Sequence, residues 1–133
     1  MTSPIPGSVA SLLTQARHTW AEAVLETRPA EKYRGAHVAA LRAAASVLAL
    51  KARPAVTSSR RPTSAWVLLD RLAPELSEWS AYFSDSAQRR AAIEAGSISV
   101  VSERDADDLL QAAGEFISII ERMAGMLSLG VAS

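Results

Sequence analysis

No cysteine occurs among the 133 residues, which removes disulfides, thiolate metal sites and cysteine nucleophiles together and fits a reducing compartment. Glycine is scarce and scattered, six in all. With no GxGxxG and no Walker pattern, there is no glycine-rich turn to cradle a phosphate. Net charge is zero, fourteen basic side chains against fourteen acidic ones, so no overall field draws the chain toward nucleic acid or anionic lipid. The longest apolar run, AAASVLAL at 43–50, is far short of the ~20 residues that cross a bilayer. The opening MTSPIPGSVASLL has neither a basic n-region nor a long apolar h-region, so a cytoplasmic protein with no signal peptide and no membrane partner is expected.

Chemistry-bearing patterns are equally sparse. Neither His18 nor His37 has an acidic residue three positions before it, as the Glu-x-x-His pairs of di-iron bundles require. HExxH and the Cys/His zinc spacings are absent, and the serines of GSVAS and GSIS sit in no GxSxG elbow. No metal and no other cofactor is expected.

What the chain does have is alanine, 26 residues of it, and twelve arginines against two lysines, a bias that suggests a GC-rich bacterial coding sequence. Apolar residues make up 49% and charged residues 21%, ordinary for a soluble domain. A chain of this length forms one domain and buries roughly two-thirds of the surface its unfolded state exposes. Residues 1–7, with two prolines and a glycine, read as a loose arm, 8–127 as the domain and 128–133 as a tail.

Helical periodicity runs through the domain. From a Ser8 cap to about Thr27, Val9, Leu12, Leu13, Ala16, Trp20, Ala23 and Val24 gather on one face, with His18 opposite. Pro29 suits the first position of a second helix reaching about Ala52. There Tyr33, Ala40, Leu41, Ala44, Val47 and Leu48 share a face with His37 near its centre, and Glu31, Arg42 and Ser46 form the polar side. Its many alanines predict a closely approaching neighbour. RPAVTSSRRPT, 53–63, is the clearest loop. After a Thr63 or Ser64 cap, Ala65, Leu68, Leu69, Leu72, Leu76, Trp79 and Phe83 stay in phase across Pro74, which predicts a kinked helix or two stacked end to end. AGSISVVS, 95–102, has no strand partner and reads as loop. Ser102 and Asp105 resemble a capping box for a last helix to about Leu127, with Leu109, Ala113, Phe116, Ile117, Ile120, Met123 and Leu127 inward. Arg104–Asp108 and Glu115–Arg122 are expected to pair on its outer side. Wide apolar stripes without a strand pattern predict an all-α, antiparallel bundle of four to five helices.

Few residues in this frame are candidates for chemistry. His37 lies in an apolar stripe just after Tyr33 and Arg34, with no carboxylate one turn away to orient it; core packing is the favoured reading over acid–base work. Arg53, Arg60 and Arg61 with nearby Lys51 form a loop patch able to touch phosphates. Trp66 falls about 100° from the leucine stripe, so it covers a different core neighbour, a partner subunit or a stacked base. The acidic ERDADDLL is explained by capping and solvation.

AHVAALRAAASVLALKARP, RRPTSAWVLLDRLAPELSEWSAYF and RDADDLLQAAGEFI together resemble an actinobacterial branch of the HEPN superfamily, over residues from about 10 to 127. The resemblance implies a four- or five-helix bundle that is frequently a homodimer. Many such proteins are metal-independent ribonucleases whose site pairs an Arg with a His four to six residues further on. Others bind RNA or nucleotides without cutting, or pair with a nucleotidyltransferase. This chain departs from the cutting motif. After Arg104, positions 109, 110 and 111 are Leu, Leu and Gln; before His37, positions 31, 32 and 33 are Glu, Lys and Tyr, and Arg34 is too close. The expectation is therefore a non-catalytic HEPN-like binding or regulatory module. It would contact RNA or a nucleotide through Arg60, Arg61 and Arg104, with Trp66 as an exposed aromatic, or engage a partner protein. Two alternatives stand beside it. One is a ribonuclease with a rewired site using His37 with Arg34, or with Arg104 from a second subunit. The other is a scaffold binding only protein through the Trp66 face.

Overall fold

A computed structural model describes residues 7–51, 64–96 and 101–130, with side chains from 9 to 125 among them. Five α-helices occur there: α1 (Gly7–Val24), α2 (Pro29–Lys51), α3 (Ala65–Leu72), α4 (Ser77–Glu94) and α5 (Glu103–Gly130), with a 3-10 turn, Pro74–Leu76, between α3 and α4. Among the described residues there is no strand and no helix long and apolar enough to cross a membrane. The expected all-α bundle is the observed one. The N-terminal arm, all but Gly7, and the 53–63 loop lie outside the described residues.

The helix boundaries follow local chemistry. α2 starts at Pro29, whose missing N–H costs nothing in a first turn, and Glu31 there faces the positive end of the macrodipole. Ser64 caps α3, its Oγ accepting from the Trp66 N–H at 3.2 Å. The Ala73 N–H closes α3 on the Leu69 carbonyl at 2.8 Å, and Pro74 then opens the 3-10 turn. The helical phase thus crosses Pro74 as two helices joined by a tight turn. Gly96, at φ 100°, follows the end of α4, a backbone region that favours glycine. At α5 the capping box is reciprocal. Ser102 Oγ accepts from the Asp105 N–H at 3.0 Å while Asp105 Oδ2 accepts from the Ser102 N–H at 3.1 Å. α5 then runs past the expected end at Leu127.

α2 is the hub, packing against α1, α3, α4 and α5. Its buried side chains are mainly alanines, Ala30, Ala36, Ala39, Ala40, Ala43 and Ala44, which let neighbouring backbones come close. A Cβ at Gly35 would meet Ala23 of α1 at 3.0 Å. Because neighbours surround α2, Ser46 is not on a polar side as expected: it is wholly buried, and its hydroxyl donates to the Ala43 carbonyl at 2.6 Å. The other half of the core is aromatic. Phe83 has ring centroids of Trp66 at 5.0 Å, Phe116 at 5.1 Å and Trp79 at 6.1 Å. Val24, expected inward, is 42% exposed because α1 ends there.

Ion pairs run between elements rather than along α5. Arg17 meets Glu121 at 2.7 Å, Lys32 meets Asp107 at 3.2 Å, Lys51 meets Glu75 at 2.9 Å and Arg89 meets Asp105 at 3.1 Å. Each is partly solvated and contributes about 0–1 kcal/mol. Among the described residues neither Arg104–Asp108 nor Glu115–Arg122 pairs; Asp105 is drawn across to Arg89 on α4.

A second contact, beside the Arg17–Glu121 pair, ties α1 to α5. The Trp20 Nε1–H donates to the Leu110 carbonyl at 2.8 Å, and a Cβ on Gly114 would lie 3.0–3.1 Å from three indole atoms. Alanine there gains about 1 kcal/mol of helix propensity. Displacing the indole and its hydrogen bond costs about 1–3 kcal/mol. Gly114→Ala is expected to lower the urea midpoint, whereas a raised midpoint would mean that the indole moves aside freely.

Candidate functional site

His37 sits on α2, one turn beyond Tyr33, and is 1% exposed. Its Nδ1 lies 2.7 Å from Ser86 Oγ on α4, and that hydroxyl is 2.9 Å from the Phe83 carbonyl. A serine has one hydroxyl proton. The imidazole tautomer decides whether that proton serves the Phe83 carbonyl or Nδ1. The edge of the ring meets Trp66, centroids 5.8 Å apart at 69°. Burial first, and the Arg90 guanidinium second, push the imidazole pKa from 6.5 down to about 4. At neutral pH His37 is uncharged.

Ser86 and His37 have the spacing of a nucleophile and its base, but burial works against activation. With a pKa near 4 the imidazole is a feeble base at neutral pH. The pair is 49 positions apart in sequence, and Ser86 stands in a polar run, SDSAQRR. No spacing pattern points from one to the other, and only burial of that face of α4 reveals it.

Trp66 apart, the remaining described candidates do not gather around this imidazole. Arg34 pairs with Glu31 at 2.8 Å and Glu94 at 3.7 Å, and the hydrogen bond to Glu31 heads the causes that raise its pKa. Arg104 is exposed in the first turn of α5, a turn shared with Glu103 and Asp105. His18 is exposed and faces Glu22 at 3.8 Å. Trp66 is only 3% exposed and stacks on Phe83 with ring planes 23° apart. Its role is therefore the core neighbour, not the exposed aromatic; α3 is turned so that Trp66 and Leu69 are its buried residues while Leu68 and Leu72 are half-buried. Arg60 and Arg61 lie outside the described residues.

The described feature closest to a site is a groove of about 360 Å³ where α2, α4 and the start of α5 meet. Tyr33, Tyr82, Asp85, Ser86, Arg89, Asp105 and Asp108 line it, so Ser86 joins it to His37. Burial, ahead of nearby carboxylates, raises the pKa of both phenols, and Arg89 works against this at Tyr33. Both stay protonated at neutral pH and can donate. The Ser102 backbone N–H, foremost, and then Arg89 favour the charged form of Asp105 and lower its pKa. The groove offers hydrogen bonds of both kinds, carboxylates and two phenols. Among the described residues no group of acidic and histidine side chains could hold a metal ion.

Among curated proteins and among solved structures, none matches the chain. A family profile described as SAV_6107-like HEPN does match, over residues 23–121. That span runs from the end of α1 to well within α5 and holds His37, Trp66 and every residue of the groove. The match covers most of the bundle, and the chain belongs to the SAV_6107-like HEPN family.

Proposed function

We propose that this chain is a non-catalytic HEPN module that binds RNA or a nucleotide by its phosphates. The observation that carries the first half is the state of His37, buried, uncharged and hydrogen-bonded to Ser86. Transfer of a proton during attack by a 2′-hydroxyl needs an imidazole that reaches the substrate and titrates near neutrality. His18, the other imidazole, stands on α1 beside Glu22.

The second half rests on charge. All fourteen acidic residues fall within 7–51, 64–96 and 101–130, against eleven of the fourteen basic ones. The other three, Arg53, Arg60 and Arg61, stand in 52–63 with no acid among them. Phosphate contact is therefore assigned to Arg60 and Arg61. Arg104 takes a lesser part, since Glu103, Asp105, Asp107 and Asp108 repel a phosphate approaching it. HEPN domains often dimerise, and pairing two copies would double such contacts.

The test is fluorescence anisotropy with labelled single-stranded RNA at several salt concentrations, run beside a cleavage assay. Replacing both Arg60 and Arg61 by Ala is expected to weaken binding and to reduce the slope of log affinity against log salt by about 1.4, the share of two single-strand phosphate contacts. RNA that never binds the wild type at low salt would sink the phosphate reading. RNA cleavage lost in a folded His37→Ala variant would sink the non-catalytic one.

A further inference from the structure

The groove at the head of α5 has the wrong charge for the phosphate proposed above. Three carboxylates, Asp85, Asp105 and Asp108, line it against a single guanidinium, Arg89. Arg89 is committed to Asp105 at 3.1 Å, and among the described residues neither Asp85 nor Asp108 has an ion-pair partner. An anion would be repelled here and a cation drawn in.

The arrangement also narrows the kind of cation. The carboxylates do not converge closely enough to hold a metal ion, so a point charge would satisfy one of them and leave the rest. A guanidinium is planar, spreads five donors over a wide fork and stacks on aromatic faces. The walls supply both needs. Tyr82 is 43% exposed, while Tyr33 is 5% exposed yet still lines the groove, so an accessible phenol ring, that of Tyr82, lines the same groove as the free carboxylates. Arg89 on Asp105 shows that the groove already accommodates one such group. An open groove of about 360 Å³ cannot enclose a small free ligand as a buried pocket does. A side chain carried on a larger surface gains the contacts that the groove itself lacks.

We propose that the groove formed by Tyr33, Tyr82, Asp85 and Asp108 is a docking site for an arginine side chain presented by a partner protein. This goes beyond phosphate binding and does not depend on it, because the groove carries the charge opposite to that which binds a phosphate.

The chain's two tyrosines both line this groove, so ring signals from tyrosine-labelled protein report on it alone. The probe is a short acetylated and amidated peptide carrying arginine in a glycine–serine background. Its citrulline counterpart keeps the shape without the charge, and spermidine serves as a free cation. The arginine peptide is expected to shift both tyrosine ring signals saturably, with the citrulline peptide at least about tenfold weaker, as loss of a charge-assisted pair implies. Asp85→Asn combined with Asp108→Asn, both at exposed positions, should abolish the shift, while Asp70→Asn on α3 should leave it intact. The proposal is overturned if the arginine peptide gives no saturable shift, or if citrulline binds as well. Equal weakening by Asp70→Asn would reduce the effect to general charge, and spermidine binding as tightly as the peptide would assign the groove to free polyamines; either result also overturns it. RNA affinity measured on the same Asp variants should not fall, which keeps this test separate from the phosphate reading.

Discussion

Between pH 7 and pH 4 the folded chain is expected to lose about 3 kcal/mol of stability to one imidazole, the equivalent of a pKa displaced from 6.5 to about 4. Unfolded, His37 takes up a proton as the pH falls through 6.5; folded, it resists until about 4. The unfolded state therefore binds more protons throughout that window, and stability falls with pH across it. The physical cause is a ring 1% exposed, with the Arg90 guanidinium adding to the cost of charging it. Urea titrations at a series of pH values read the effect directly. A His37→Gln variant should lose most of the slope between pH 6.5 and 4 whatever its absolute stability. Parallel curves for variant and wild type would show that His37 does not titrate this way. Carboxylates whose charged form the fold favours, Asp105 and Glu75, act at the acid end of the range, because their folded pKa values are depressed and their stabilisation is lost only as pH falls through them.

Phe83→Ala is the substitution with the largest expected direct effect, a loss of about 3–5 kcal/mol. Phe83 has no exposed surface and stands among Trp66, Trp79 and Phe116. Removing the ring leaves a void lined by stiff aromatics that cannot collapse to fill it, in addition to losing the area buried. A domain of this size has about 5–15 kcal/mol in total, so the variant is expected to be barely folded at 37 °C. Phe83→Leu, which keeps much of the volume, should cost a smaller and measurable amount. If Phe83→Ala lowers stability by less than about 1 kcal/mol, α3 and α4 do not pack around this ring. The same variant reports on His37, since Trp66 contacts both rings.

Much of the fold was legible because helix starts and stops are local chemistry. Pro29, Ser64, Pro74 and the Ser102–Asp105 box can each be read within a few residues, and each acts as read. Periodicity placed Leu109, Ala113, Phe116, Ile117 and Ile120 correctly, since α5 has one neighbour-facing side. It was less informative for α2. A helix packed on several sides has no single stripe, and its alanines and Ser46 point inward at angles that a one-face reading assigns to water. Trp66 was identified as out of phase with the leucines, but whether that phase met solvent or core depended on Phe83 and Phe116, far away in the chain. The groove was illegible for the same reason: Tyr33, Ser86 and Asp108 come from three helices, and nothing in their spacing brings them together. The family was readable from whole segments, whereas the missing Arg–His pair was visible at once as letters.

The alanine-lined hub and the aromatic layer give the two halves of this bundle opposite tolerances. Around α2, where backbones nearly touch and Gly35 meets Ala23, there is little to trim and no room to grow. Enlarging a residue there pushes whole helices apart, and shrinking one releases almost nothing. Around Phe83 the reverse holds, because bulk fills the space and its removal is what costs. A library of random substitutions should therefore reject gains of volume along α2 and losses of volume along α4, a polarity of size that would map the hub without any coordinates.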